Sequence, residues 1–441
     1  MPAAILYIRQ QDRAARFMYM TADTYACVDG MQEAVAVGAG PAHAAAQRTP
    51  MHTIISERTA ASPSRPMRHL RRWLGVSLLC VAASASAADD LQARIAQALQ
   101  GTTTPAMGVL VIRDGKIAEQ AVSGVRRNDE KVAVSTGDAW MIGSTGKPIT
   151  VAMIARLVEQ GVLKWDAPLS TMLPDLAAQM QPAYRNVTLV QLLSHRAGLP
   201  ENLTDGTALD AFFTDTRALP VQREAYIKAA LSEAPVHPPG TEFAYSNSGF
   251  LIAAVIAERA TGKDVETLIQ REVFQPLQMA GAGFGPTTAG QPLGHRGGKP
   301  VTRAPQKADD GVPPIYTAAG NLHMRLQDLA MFAIDQLAGS HGKGTLLTPA
   351  SYTLMQSAQP GSPSGLDWGV QPSIAGRQGP VLVHGGSDGN WLAWVVLFPA
   401  QNSGVIAIAN AAEDMGADTA TMGVLGGLFA ELAPAVTPAA K

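Results

Sequence analysis

A chain of 441 residues, 46% hydrophobic and 16% charged, carries enough apolar material for a large buried core and two or three structural units. Its formal net charge of -2, with no run of Lys and Arg in the main body, excludes broad attraction to a polyanion, so no nucleic-acid partner is expected. The two cysteines, Cys27 and Cys80, both precede the segment read below as the exported chain, which leaves that segment without disulfides or thiolate zinc sites.

In chain order, the first legible feature is an export signal over residues 67–87. Arg68, Arg71 and Arg72 form a basic start, Trp73 to Ala83 is mostly apolar, and Ala85-Ser86-Ala87 offers the small residues a signal peptidase requires. The apolar run is well short of the ~20 residues of a spanning helix, so no stable membrane anchor is expected. Leu79 is too bulky for the position before a lipidated cysteine at Cys80. Cleavage after Ala87 implies a secreted or periplasmic product. A signal belongs near a true N-terminus, and residues 1–66 show no sustained periodicity. They are therefore read as a non-native or disordered extension, with translation starting at Met67.

Residues 88–441 form the working domain. Leu91, Ile95 and Leu99 recur at four-residue spacing and predict a helix. Met107 to Ile112 and Lys116 to Val125 predict two strands joined by Arg113-Asp114-Gly115, whose Asp-Gly step is a strong hairpin signal. The middle of the chain, about residues 141–339, reads as mostly helical with long loops. Val381 to Val383, Leu392 to Phe398 and Gly404 to Ala409 predict three more strands, and Ala417 to Leu432 a closing helix. Strand-forming material at both ends implies an α/β fold of the α+β kind: a discontinuous sheet part, about 88–140 and 340–434, with a helical part inserted.

Three short segments hold the candidate chemistry. Ser144 stands three residues before Lys147 at the start of an apolar helical run, Ile149 to Val158, that Gly161 closes. Pro148 is tolerated there because the first turn has amides without intrahelical partners. At this spacing Lys147 shares a face with Ser144, and a buried helix start lowers the amine's pKa enough for it to take a serine's proton. The second segment is Tyr245-Ser246-Asn247, in a loop entering the helical run Phe250 to Ile256. Tyr245 is read as sharing or relaying the proton, and Asn247 as orienting Lys147 and a substrate carbonyl. The third is His384-Gly385-Gly386-Ser387, after the strand at Val381, where glycines let a substrate lie along the backbone. Each has a bland reading by itself: a helix cap, a packing tyrosine, a Gly-rich hairpin end.

In order and placement the three segments together resemble the serine β-lactamase and penicillin-binding protein superfamily. The Tyr-x-Asn form is similar to that of class C β-lactamases, D-alanyl-D-alanine carboxypeptidases, D-aminopeptidases and related esterases, and His-x-Gly occurs among the peptidase-like and esterase-like members. Leu192-Leu193-Ser194-His195-Arg196-Ala197-Gly198-Leu199-Pro200 and Ala319-Gly320-Asn321-Leu322 match the same group. The resemblance implies an antiparallel sheet backed by the terminal helices, a helical subdomain, a cleft between them, and an oxyanion hole at the backbone amides of Ser144 and Ser387. It implies an acyl-enzyme mechanism on a small-molecule or peptide substrate, with Ser144, Lys147 and Tyr245 catalytic and Asn247, His384, Gly385, Gly386 and Ser387 binding substrate. A non-catalytic binding relative with the same fold is the alternative.

Thr188 and Gln191 form a capping box, so His195 is read as structural, at the exit of a helix. The histidines His195, His237, His295, His323, His341 and His384 show no paired ligand spacing, and neither a metal nor a cofactor is expected. His384 stands where many relatives have a lysine, so weak holding of substrate carboxylates, and poor hydrolysis of penicillins and cephalosporins, is expected.

Overall fold

The computed structural model describes residues 89–307 and 310–436. The extension over 1–66, the export signal and its cleavage point lie outside the described residues. Helix α1 spans residues 89–99, with Leu91 and Ile95 buried and Leu99 half-buried. Strands β1 (Ala106–Arg113) and β2 (Lys116–Gly124) follow as a hairpin. Asp114 and Gly115 at its tip have φ of 52° and 68°, the paired left-handed conformations a two-residue hairpin turn demands.

The chain returns to this sheet only at its far end, through β3 (Gly369–Ile374), β4 (Arg377–Ser387), β5 (Leu392–Phe398) and β6 (Ser403–Ala409). The six strands lie in the order β2-β1-β6-β5-β4-β3, antiparallel throughout. The long-range junction is β1 on β6, from Met107 opposite Ala409 to Ile112 opposite Gly404. Every residue of β5 and β6 is buried, so both faces of the sheet are covered. Strand β3 was not expected from its residues. It contains Pro372 and a partly exposed polar middle, a composition that suits only an edge, where a missing amide and an uncovered face are tolerated.

Between the two sheet portions lie helices α2 (Lys147–Glu159), α3 (Asn247–Thr261) and α4 (Leu326–Ser340), and the chain closes with α5 (Ala417–Leu432). Helix α2 buries ten residues from Lys147 to Leu157, and Gly161, at φ 74°, turns the chain beyond its end. Helix α3 packs beside α2; Ser246 caps it by accepting the Gly249 amide, and Gly262, at φ 69°, ends it. Helix α4, within the segment read as helical, packs on β1, β5 and β6, as α5 does on β6. The capping box is formed: Thr188 Oγ1 accepts the Gln191 amide and the Gln191 side chain accepts that of Thr188. Among the described residues no helix is long and apolar enough to cross a membrane.

Candidate active site

Ser144 lies in a tight 3₁₀ turn, Gly143–Gly146, that leads directly into α2. Its hydroxyl caps nothing. It accepts hydrogen bonds from Lys147 Nζ at 2.9 Å and from Tyr245 Oη at 2.8 Å. Lys147, on the first turn of α2, has no exposed surface. Its ammonium also donates to the Ala319 carbonyl at 2.5 Å and stands 5.0 Å from the centre of the Tyr245 ring and 5.5 Å from that of Phe250. Burial lowers the amine to about 8, against the upward pull of the Asp367 and Glu201 carboxylates. An amine in that range exchanges a proton near neutral pH, as a base for the adjacent hydroxyl must.

Three glycines let the third segment and the Ala319-Gly320 segment close on this turn. A Cβ on Gly386 would lie 2.5 Å from the Thr145 nitrogen and 2.8 Å from that of Ser144; one on Gly143 would lie 2.7 Å from the Ser387 nitrogen. One on Gly320, at φ 141°, would lie 2.7 Å from the Gly143 carbonyl. The end of β4 therefore sits backbone to backbone on the Ser144 turn, which no residue with a side chain at Gly386 permits. Gly386→Ala should push that turn aside and slow any labelling of Ser144 by a fluorophosphonate by ~100-fold, the usual consequence of a displacement near 1 Å. Labelling kinetics check this, and a rate within a few-fold of wild type speaks against so close a fit. Gly385, by the alternation of the strand, packs instead on the Trp394 ring.

Asn247 is buried and donates to Asn202 Oδ1 at 3.0 Å, which also accepts from Tyr316 Oη at 2.8 Å. A cleft of about 230 Å³ opens over Ser144, lined by Asn247, Tyr316, Gly320, Ser387 and Asp388 among others. Asp388 and Val312 also line a second cleft of about 370 Å³, with Arg303 and Trp391 on its walls. Burial pushes the Asp388 carboxyl up to about 6, although it accepts the Asn390 and Trp391 amides at 2.9 and 3.0 Å.

The expectation that His384 meets a substrate carboxylate is corrected by its surroundings. Its ring has no exposed surface, its Nε2 is 2.7 Å from Asp367 Oδ2, and its Nδ1 is 2.9 Å from the Gly385 carbonyl. The side chain points inward from a strand whose residues from Val381 to Gly386 are all buried. The same Asp367 carboxylate takes His195 Nε2 at 2.8 Å through its other oxygen. The Ser246 amide donates to His195 Nδ1 at 3.0 Å, so Nε2 carries the ring proton. Asp367, Asn202, Tyr316 and Asp388 escaped the sequence reading. For Asp367 there was one sign, a lone acid inside the otherwise apolar run Leu366-Asp367-Trp368, since an acid that is buried needs partners. Among the described residues no group of three or more His, Cys, Asp or Glu is arranged to hold a metal ion.

The Beta-lactamase family model matches residues 91–425. The chain belongs to the β-lactamase family. Penicillin-binding protein 4 of Amycolatopsis lactamdurans is 27% identical to this family member over 314 residues, covering 69% of this chain and 79% of that protein. Protein flp of Staphylococcus aureus strain MW2 is 24% identical over 321 residues. That match takes in 71% of this chain but only 61% of protein flp, so the chain spans about three-fifths of the length of that relative. Among solved structures, an octameric penicillin-binding protein homologue from Pyrococcus abyssi superposes with a TM-score of 0.63 at 22% identity, covering 78% of this chain and 79% of that one. SurE with D-Leu gives a TM-score of 0.61 at 21% identity, covering 80% and 78%. At these identities the two structures support the β-lactamase-family fold.

Proposed function

We propose that this chain is a serine hydrolase that works through an acyl-enzyme on an ester or amide. The observation that carries the reading is Ser144 Oγ held between Lys147 Nζ at 2.9 Å and Tyr245 Oη at 2.8 Å, with the lysine buried. Lys147, with Tyr245, takes the hydroxyl proton as Ser144 Oγ attacks the carbonyl carbon. The carbonyl oxygen becomes an oxyanion facing the backbone amides of Ser144 and Ser387, each such donor contributing ~2.7–4 kcal/mol to the transition state. The tetrahedral centre collapses, the leaving group departs with a proton, and water releases the acyl group by the same steps in reverse.

Two features favour esters or peptides that need no free carboxylate over penicillins and cephalosporins. His384 is committed to Asp367, and Asp388, raised to about 6, brings a negative charge to the cleft wall at neutral pH. The basic, apolar and small-residue pattern over residues 67–87, read as an export signal, favours action outside the cytoplasm. The purified protein is expected to form a fluorophosphonate adduct and to turn over p-nitrophenyl esters or D-alanyl peptides faster than nitrocefin. Intact, folded protein that forms no adduct would favour the non-catalytic alternative, and efficient nitrocefin hydrolysis would reverse the substrate preference.

A further inference from the structure

Beneath the Ser144 site lies a buried charged unit that the hydrolase mechanism leaves unused. Asp367 joins the His195 turn to the His384 strand, with His195 on Oδ1 and His384 on Oδ2, and all three side chains have no exposed surface. The His195 ring lies 4.5 Å from the Tyr245 ring, centre to centre, tilted by 32°, and 5.4 Å from both Phe243 and Phe250. His195 is therefore a packing wall for the phenol that donates to Ser144. Trp368 closes the other side, edge-on to His384 at 6.3 Å. Asp367 itself is held at φ 66°, a conformation uncommon for any residue but glycine, which fits a position fixed by its partners.

We propose that Asp367 is a positioning residue: its carboxylate fixes the ring that backs Tyr245 and places a buried negative charge behind the Ser144, Lys147 and Tyr245 group. The steric half follows from the hydrogen bonds. With the Ser246 amide on Nδ1 and the carboxylate on Nε2, His195 has one tautomer and one orientation. The electrostatic half follows from the same stack: Lys147 Nζ stands 5.0 Å from the Tyr245 ring, that ring 4.5 Å from the His195 ring, and His195 Nε2 2.8 Å from the Asp367 carboxylate, with Lys147, His195 and Asp367 all buried. In a dry interior a carboxylate near an ammonium stabilises the protonated amine, and the hydroxyl of Ser144 can pass its proton only to the free amine. The charged and titratable groups that bear on Lys147 are Asp367, Glu201, Tyr245 and, as a neighbour of Asp367, His195; those on Asp367 are His195 and His384. Burial keeps His195 below the usual imidazole range; burial also pushes the Asp367 carboxyl up, but its two histidine partners outweigh that and hold it below the usual carboxylate range, so the acid is ionised at neutral pH.

The test is direct titration of the Lys147 side chain by NMR with 13C-labelled lysine, in the wild type and in Asp367→Asn. Removing the negative charge should lower the Lys147 midpoint by roughly half a pH unit or more, the small end of shifts from one nearby charge. This part of the inference needs no turnover. The consequence for chemistry rests on the proposed function: the rise of fluorophosphonate labelling with pH should move to lower pH by the same amount. A midpoint that moves while neither protein is ever labelled would retain Asp367's role and remove the hydrolase reading. An unmoved midpoint would mean that the Asp367 charge does not act on Lys147, and the inference fails. Asp367→Ser removes the same charge with a smaller side chain where Asp367→Asn does not fold. If neither folds, Asp367 is a structural residue only and the inference fails equally.

Discussion

Ser144→Ala is expected to leave a folded protein that takes up no fluorophosphonate and whose turnover of any substrate falls by at least ~10⁴-fold, the scale seen when a covalent nucleophile is removed. The stability side of this expectation is changed by the geometry. A serine at the head of a helix is ordinarily a cap whose loss costs ~0.5–2 kcal/mol. Here the hydroxyl accepts from Lys147 and Tyr245 and caps no amide. Lys147 keeps the Ala319 carbonyl as a partner. The melting temperature should therefore stay within a few degrees of wild type, since no capped amide is released and one neutral hydrogen bond contributes only ~0.5–1.5 kcal/mol. Peptide mass spectrometry of labelled wild type decides the assignment: an adduct on another serine, or undiminished labelling of Ser144→Ala, overturns it.

Lys147→Arg should be nearly as damaging although it keeps the charge. A guanidinium with a pKa above ~12 stays protonated throughout the working range and cannot accept the Ser144 proton. Loss of general-base assistance predicts labelling slower by ~10²–10⁴-fold. The pocket adds a steric reason, because Lys147 has no exposed surface and already contacts Ser144, Ala319 and the rings of Tyr245 and Phe250. The pH profile of the wild type provides the companion measurement. With the amine lowered to about 8 by burial, its free form is scarce below that pH and dominant above it. Labelling should therefore rise through pH 8 and then level off, and Lys147→Arg should show no such rise. Activity within a few-fold of wild type at pH 8 would make Lys147 an electrostatic residue and leave the base to be found elsewhere.

The parts of this molecule that rest on local patterns were legible in its residues. The Asp114-Gly115 hairpin, the α1 stripe of Leu91 and Ile95, the Thr188–Gln191 capping box and the burial of α2 each depend on neighbours in sequence. The meeting of Ser144, Lys147 and Tyr245 came from resemblance, because nothing local ties Tyr245 to a turn a hundred residues earlier in the chain. Edge strand β3 was missed since an edge does not need an apolar alternation. His384 was placed in the cleft on the strength of its motif, whereas its orientation depends on Asp367, seventeen residues away along the sequence. Buried polar partners such as Asp367, Asn202 and Tyr316 leave little trace in a linear pattern, since each satisfies another group across the fold.

The pairing of β1 with β6 also has a meaning in time. A ribosome delivers β1 and the Ser144 turn early, but the strand that closes against β1, and the Gly386-Ser387 backbone that lies on that turn, arrive near the end of synthesis. Until then the β1–β2 hairpin has an unpaired edge and the Ser144 turn lacks the backbone that lies on it. Pairings of such long sequence separation form slowly. A growing chain can therefore complete neither the sheet nor the surroundings of the Ser144 turn until almost all of it has been made.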